Sequence, residues 1–258
     1  MVGSTSIKKP ISESQEDVKT ILIVDDEPLI REILQRQFKK EGFVVSSCEN
    51  GQDALAEFKK SPPKVILSDI RMPKGDGVFL LEEIMKIRAD FPFVFMTGFT
   101  DVPSHDVYHK GAAALIKKPF DLDSIVDQIK YSLIPNKKRW TEKVFGAKGD
   151  LQLAFDSLDD AIKDQSLSWG RGGFSFSKDV PVDTGEVVEF TLDFNNGPVT
   201  KIHGVGVVRW NLSGGARGFQ KVGVEISSLD AACLEPVVKL ADGRGHSAYI
   251  PARIDSPS

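Results

Sequence analysis

The sequence predicts two domains: an α/β domain built on a doubly wound, five-stranded parallel sheet, followed by an all-β, six-stranded barrel that ends in a helix. Three observations predict this. The chain has 258 residues, a length that favours two compact domains over one. Between residues 20 and 134, five short apolar runs alternate with helical patterns, the arrangement of a parallel sheet covered on both faces. After Pro135 the pattern changes to strands whose apolar residues recur at every second position.

In the first domain, placed at 18–134, the strand candidates are 21–24, 43–47, 64–68, 93–97 and 113–116. They are mostly β-branched or aromatic and too short for helices. Leu29, Ile30, Ile33, Leu34 and Phe38 form one helical stripe, and Leu122, Ile125, Val126, Ile129 and Leu133 form another. Segment 101–110 offers only Val102, Val107 and Tyr108 for burial, so it is expected to be the least anchored helix. Residues 135–149 are basic, with Glu142 their only acid, and read as a solvated linker.

In the second domain, placed at 150–241, Val188, Phe190, Leu192 and Phe194 alternate with Glu189, Thr191 and Asp193. The other strand candidates are 151–155, 161–167, 173–176, 201–210 and 219–226, with turns at Asn196-Gly197 and Ser213-Gly214-Gly215. A helix is expected from about Leu229 to Leu240. The termini, 1–17 and 242–258, read as flexible.

Composition excludes several classes of function. The charge is −4, from 33 basic and 37 acidic side chains, and no apolar run approaches the roughly 20 residues that cross a bilayer. The first twenty residues have no signal-peptide core, so a cytosolic protein without membrane insertion is expected. Two cysteines, Cys48 and Cys233, offer neither a disulfide framework nor a metal site and read as buried thiols. Residues 136–258 carry 15 basic and 16 acidic side chains, so no nucleic-acid partner is expected. His105 and His109 stand one helical turn apart, but Asp106 replaces the longer Glu of a zinc-protease helix and no third ligand is evident.

The chemistry lies at the strand ends. In an open parallel sheet the ligand crevice lies beyond the carboxyl ends of the strands. The first candidate strand ends in Asp25-Asp26, the third in Asp69, the fourth in Thr97-Gly98, and Lys118 follows the fifth. Three converging carboxylates repel one another unless a hard cation joins them, and Mg²⁺ holds a few oxygens and several waters, leaving room for a phosphoryl oxygen. Thr97 supplies a hydroxyl and Lys118 a cation for developing phosphoryl charge, while Gly98 leaves space for the substrate.

Residues 18–134 resemble the response regulator receiver domain of two-component signalling. The motifs that carry the resemblance are IVDDEP (23–28), LSDIRMPKGDG (67–77), MTG (96–98) and KKPF (117–120). The resemblance implies a flavodoxin-like fold, Asp69 as phospho-acceptor, and Mg²⁺ on Asp25, Asp26, Asp69 and the Arg71 backbone carbonyl. It also implies Thr97 as the switch hydroxyl, Lys118 as the phosphoryl partner, and a sensor histidine kinase or phosphotransfer protein as donor. Homodimerisation through the receiver is a further implication. Leu115 stands where the family often carries a rotating aromatic, so a switch without that aromatic is expected.

Residues 137–241 resemble the PilZ domain, through SLSWGRGGFSF (166–176), GEVVEFTLDF (185–194), VGVVRW (205–210) and FQKVGVEISSLD (219–230). Many PilZ domains bind cyclic di-GMP through two arginines four apart and an Asp/Asn-x-Ser-x-x-Gly turn. Here no Arg-x-x-x-Arg occurs, and the residues left to serve such a site are Arg139, Lys143, Ser166, Ser168 and Arg171. The expected function is therefore a response regulator whose receiver controls a degenerate PilZ-like output domain through contacts with an unnamed downstream protein. No separate enzymatic output is expected beyond phosphoryl uptake and self-dephosphorylation. Two alternatives stand beside it: a dual-input sensor that also binds cyclic di-GMP, and an unphosphorylated scaffold.

Overall fold

The computed structural model describes residues 18–98, 102–142, 146–212, 220–243 and 248–252. The N-terminal segment 1–17, Lys143 and the 213–215 turn lie outside the described residues, as does the end of the tail from residue 253.

Strands β1 (Thr20–Val24), β2 (Val44–Cys48), β3 (Val65–Asp69), β4 (Phe93–Thr97) and β5 (Ala114–Lys117) form a parallel sheet in the order β2-β1-β3-β4-β5. Alternation along each strand splits its side chains between two cores. Leu22, Val24, Ile66, Phe93 and Phe95 face Ala54 and Phe58 of α2 (Gly51–Lys60) and Leu80, Leu81 and Ile84 of α3 (Gly77–Ile87). Ile21, Ile23, Val65, Leu67, Val94 and Met96 face Leu34 and Phe38 of α1 (Pro28–Lys40) and Ile125, Val126 and Ile129 of α5 (Leu122–Ser132). Burial on both faces explains why the inner strands β1, β3 and β4 read as unbroken apolar runs, whereas the edge strands β2 and β5 are only partly buried.

The short α4 (Ser104–His109) corrects one expectation. Val107 enters the receiver-side core, but Tyr108 is buried against the second domain, so this helix is anchored from outside its own sheet.

The second sheet contains β6 (Gly149–Ser157), β7 (Leu167–Trp169), β8 (Gly173–Ser177), β9 (Val187–Asn196), β10 (Lys201–Leu212) and β11 (Lys221–Leu229), in the order β6-β9-β10-β11-β8-β7. β6 runs parallel to β9 and every other pair is antiparallel. Register shifts between β10 and β11, at Val205/Gly206 and Val208/Trp210, bend the sheet. The result is a curved half-barrel of six strands, compatible with the six-stranded barrel expected from sequence, in which no ladder joins β6 to β7 among the described residues. The predicted alternation in β9 holds, with Val188, Phe190, Leu192 and Phe194 all in the core beneath Cys233, Val237 and Ala241 of α8 (Ala231–Gly243).

Three further corrections follow. Residues 158–163 form α7 rather than the start of a strand, because Ser157 caps the Asp160 amide and two acids occupy the first turn. The supposed solvated linker contains α6 (Asn136–Arg139) and a fully buried Trp140, whose indole N–H donates to the Ile226 carbonyl at 3.0 Å. The tail expected to fray holds buried Tyr249, Ile250 and Ala252. Both cysteines are free thiols; Cys233 is buried and Cys48 only half-buried.

Candidate phosphoryl-acceptor site and the domain junction

Strand order reverses between β1 and β3, and the crevice at this point is where the carboxyl ends of the two strands present Asp25 and Asp69. Asp25 is fully buried; its Oδ1 accepts the Glu27 amide at 2.9 Å, and its carbonyl accepts Arg31 Nη1 at 2.6 Å. Asp69 is buried at the last position of β3. Its carbonyl lies so close to Gly77 that a Cβ there would stand 2.1 Å away, so α3 reaches this depth only with glycine at its start.

Lys118 unites the two acids. Its Nζ is 3.1 Å from Asp25 Oδ2, 3.0 Å from Asp69 Oδ1 and 3.8 Å from Glu27 Oε1. Its backbone amide donates to the Thr97 carbonyl at 2.8 Å, which fixes the loop after β5 against the end of β4. Burial pushes the Asp69 carboxyl above its ordinary range; the hydrogen bond and charge of Lys118 oppose that, and the charges of Asp25 and Asp26 reinforce it. Burial works against the Lys118 ammonium, but Asp69 and Asp25 outweigh it and hold the lysine above its ordinary value.

Of the residues predicted from sequence, Asp25, Asp69 and Lys118 are thus in direct contact. Asp26 is exposed beside them and acts on Asp69 through charge alone. Arg71 is exposed on the loop after β3. Thr97 is buried at the tip of β4, its hydroxyl donating to the carbonyl of half-buried Gly98 at 2.8 Å. Sequence reading missed Glu27 and Arg31, which complete the polar shell; no spacing rule marks them, because their roles depend on the turn between β1 and α1.

Mg²⁺ fits this donor set by its chemistry. Among the described residues no three acidic, histidine or cysteine side chains are already gathered as a metal cage. Mg²⁺ does not need one, since it is commonly held by one or two carboxylates and several waters.

A raised Asp69 pKa has a consequence for stability. Above the unfolded carboxyl pKa of about 3.9, the folded chain holds more proton at Asp69 than the unfolded chain does. Stability is therefore lost as pH rises through the folded pKa. Asp69→Asn, which cannot ionise, is expected to melt at a higher temperature than the wild type at neutral pH, with the gap closing toward pH 4. Thermal melts across that range check it, and a gap that widens on acidification contradicts the assignment.

Of the residues considered for a nucleotide, Lys143 lies outside the described residues, Arg139 and Arg171 lie at the domain junction, and Ser166 and Ser168 lie within the half-barrel. Arg139 is buried, its guanidinium 4.9 Å from the Tyr131 ring centroid and 5.8 Å from that of Tyr249, with Nη2 donating to Asn136. Arg171 lies 5.5 Å from the Tyr249 centroid and donates to the Gly111 carbonyl at 2.7 Å. Ser166 bonds within the turn after α7, to Asp164 and Ala161, and Ser168 pairs with Ser175 in the β7–β8 ladder. The two arginines border a cavity of about 660 Å³ together with Arg88 and Asp90 of the first domain and Asp242 of α8. His105 and His109 serve the same junction. His105 packs edge-on to Trp210 at 6.4 Å, and His109 Nδ1 accepts the Ala252 amide at 3.1 Å.

Comparison with known proteins bears on the first domain. The sequence model of the response regulator receiver domain matches residues 21–130. The chain is 37% identical over 107 residues to the DNA-binding transcriptional regulator NtrC of Salmonella typhimurium, covering 41% of this chain and 23% of that protein. It is 38% identical over 109 residues to the regulatory protein AtoC of Escherichia coli K12, covering 42% and 24%. The chain thus spans about a quarter of the length of these relatives. Among solved structures, the receiver domain of NtrX from Brucella abortus matches with 29% identity and a TM-score of 0.42, covering 44% of this chain and 97% of that one. The response regulator TrrA of Thermotoga maritima, solved with Mg²⁺ and BeF, matches with 32% identity and a TM-score of 0.42, covering 45% and 100%. No helix among the described residues is long and apolar enough to cross a membrane. With its five-stranded parallel sheet and its flanking helices, the segment 21–130 is a response regulator receiver domain, homologous to those of NtrC-type regulators.

Proposed function

We propose that this chain is a cytosolic two-component response regulator in which Asp69 accepts a phosphoryl group and the receiver controls the C-terminal half-barrel through protein contacts. The observation that carries the reading is the Lys118 ammonium held 3.0 Å from Asp69 and 3.1 Å from Asp25 in the β1/β3 crevice. A carboxylate oxygen of Asp69 attacks the phosphorus of a phosphohistidine on a sensor kinase or phosphotransfer protein. The P–N bond breaks, its electron pair stays on the imidazole, and an acyl phosphate forms at Asp69. Asp25, Asp26, Asp69 and the Arg71 carbonyl are the groups that would hold Mg²⁺, which when bound would neutralise charge on the transferring group. Lys118 offsets charge on the same oxygens, and Thr97, the last residue of β4, offers its hydroxyl to the phosphoryl group from the neighbouring strand end.

For the second half, six strands followed by α8 accord with the PilZ resemblance. Cyclic di-GMP is left out of this reading because Arg139 and Arg171 stack on Tyr249 of the chain itself, the planar partner that a guanine would otherwise supply.

Incubation of the full chain with acetyl phosphate and Mg²⁺ tests the proposal. Intact mass is expected to show one added phosphoryl group, lost in Asp69→Asn and on chelation of the metal. Labelling that persists in Asp69→Asn overturns the assignment, and wild-type protein that never labels favours the scaffold alternative.

A further inference from the structure

Residues 248–252 have no regular secondary structure, and yet all but half-buried Ala248 are buried between the domains. On one side they bond to the half-barrel. The Arg171 amide donates to the Ala248 carbonyl at 3.0 Å, the Gly172 amide to the Tyr249 carbonyl at 2.9 Å, and the Tyr249 hydroxyl to Glu225 Oε1 at 2.8 Å. On the other side they bond to the last residues of α4. The Tyr249 amide donates to the Tyr108 carbonyl at 3.0 Å, the Ala252 amide to His109 Nδ1 at 3.1 Å, and the two tyrosine rings stack with centroids 6.4 Å apart. Two successive peptide planes, Ala248–Tyr249 and Tyr249–Ile250, therefore each join a half-barrel donor to a receiver acceptor, since the Ile250 amide also reaches the Tyr108 carbonyl at 3.4 Å, and no other described segment bonds to both in this way through its backbone.

We propose that residues 248–252 are an intramolecular clasp that locks α4 of the receiver onto the half-barrel, and that phosphorylation of Asp69 opens it. The release rests on the function proposed above; the clasp stands on the contacts alone.

Two features fit the segment to this task. Its seat is shaped for it: a Cβ on Gly172 would lie 2.1 Å from the Tyr249 ring, and one on Gly170 would lie 2.5 Å from the Tyr249 carbonyl, so both positions admit the clasp only as glycine. Its polar anchor is buried: Glu225 is 1% exposed and receives Arg209 Nε at 2.5 Å as well as the tyrosine hydroxyl, which fixes the ring by a charge-assisted bond in a dry environment. Burial and Glu225 both push the Tyr249 phenol above its ordinary range, so it remains a neutral donor.

The receiver side is the movable one. Six-residue α4 gives only Val107 to the receiver core, while Tyr108 belongs to the junction cluster with Trp210, Tyr249, Ile250 and Ala252. The helix is thus shared between the domains. A small shift of its C-terminal turn breaks the bonds of the Tyr249 and Ile250 amides to the Tyr108 carbonyl, the bond of the Ala252 amide to His109 and one aromatic contact at once, whereas the bonds from Arg171 and Gly172 are untouched. Opening is therefore expected to free α4 first and the half-barrel face second.

Amide hydrogen exchange on the full chain is the test, with and without acetyl phosphate and Mg²⁺, with Asp69 occupancy read by intact mass. The Tyr249 and Ile250 amides are expected to be protected in the unmodified protein and to lose at least about tenfold of that protection when Asp69 is occupied, while β1 and β9 are unchanged. Unchanged protection at an occupied Asp69 overturns the release. A Gly172→Val variant, which displaces the Tyr249 ring, is expected to expose residues 248–252 without any phosphodonor. Protection of Tyr249 that survives this substitution overturns the clasp itself. Failure of Asp69 to label at all overturns the function proposed above together with the release, and leaves the clasp to be judged by Gly172→Val.

Discussion

Lys118→Ala is expected to slow phosphoryl uptake at Asp69 by about 100- to 1,000-fold, the loss typical of removing one preorganised group that meets developing charge. The ammonium stands within 3.1 Å of both carboxylates, where charge on the transferring group accumulates. The same geometry predicts a second effect of opposite sign. Lys118 and Mg²⁺ compete for Asp25 and Asp69, so removing the lysine leaves the acid pair uncompensated and tightens Mg²⁺ binding. A misfolded variant would lose both properties together; a folded one separates them. Lys118→Arg is expected to restore little, because a planar fork does not occupy the volume of a compact ammonium between two buried oxygens. Initial rates of labelling with acetyl phosphate, beside a Mg²⁺ titration of each variant, decide the matter. Uptake within a few fold of wild type would remove Lys118 from the chemistry.

This site was legible in the sequence for a physical reason. Strands buried on both faces must be apolar runs, so polar residues at their ends stand out, and the parallel topology puts those ends on one edge. Asp25, Asp69, Thr97 and Lys118 are all such residues, and all five strands of the first sheet fall within one residue of where the apolar runs place them. The half-barrel was less legible. Residues 161–167 are a strand candidate in the sequence, yet 158–163 form α7; the cap at Ser157 with Asp160 three residues on is the available signal for that helix. The junction left almost no trace. Tyr249 and Ile250 are two apolar residues in a stretch rich in glycine and proline, and Arg139 lies within a basic run. Periodicity describes how a segment packs on its own domain, and these residues pack on another.

The basic run itself yields the second large effect. Lys137 and Lys138 are exposed while Arg139 and Trp140 point inward, so a segment that reads as linker belongs to the core of the half-barrel. Trp140 is fully buried in the same cluster as Phe174, Phe190 and Val237; its indole donates to Ile226, and its carbonyl accepts the Leu229 amide at 2.9 Å. Trp140→Ala is expected to cost about 3–5 kcal/mol, the range for emptying a large aromatic site in a packed core. The loss should fall on one domain. Neither core of the receiver contains a residue from 136–142, so Asp69 in Trp140→Ala should still take a phosphoryl group while the half-barrel unfolds at a lower denaturant concentration. Guanidinium unfolding followed by circular dichroism, beside acetyl phosphate labelling, separates the two domains. A cost below about 1 kcal/mol, the size of a surface substitution, would return Trp140 to the linker. A full cost accompanied by loss of labelling would mean that the receiver depends on its neighbour for folding, and then phosphorylation and half-barrel stability would have to be linked through the junction in both directions.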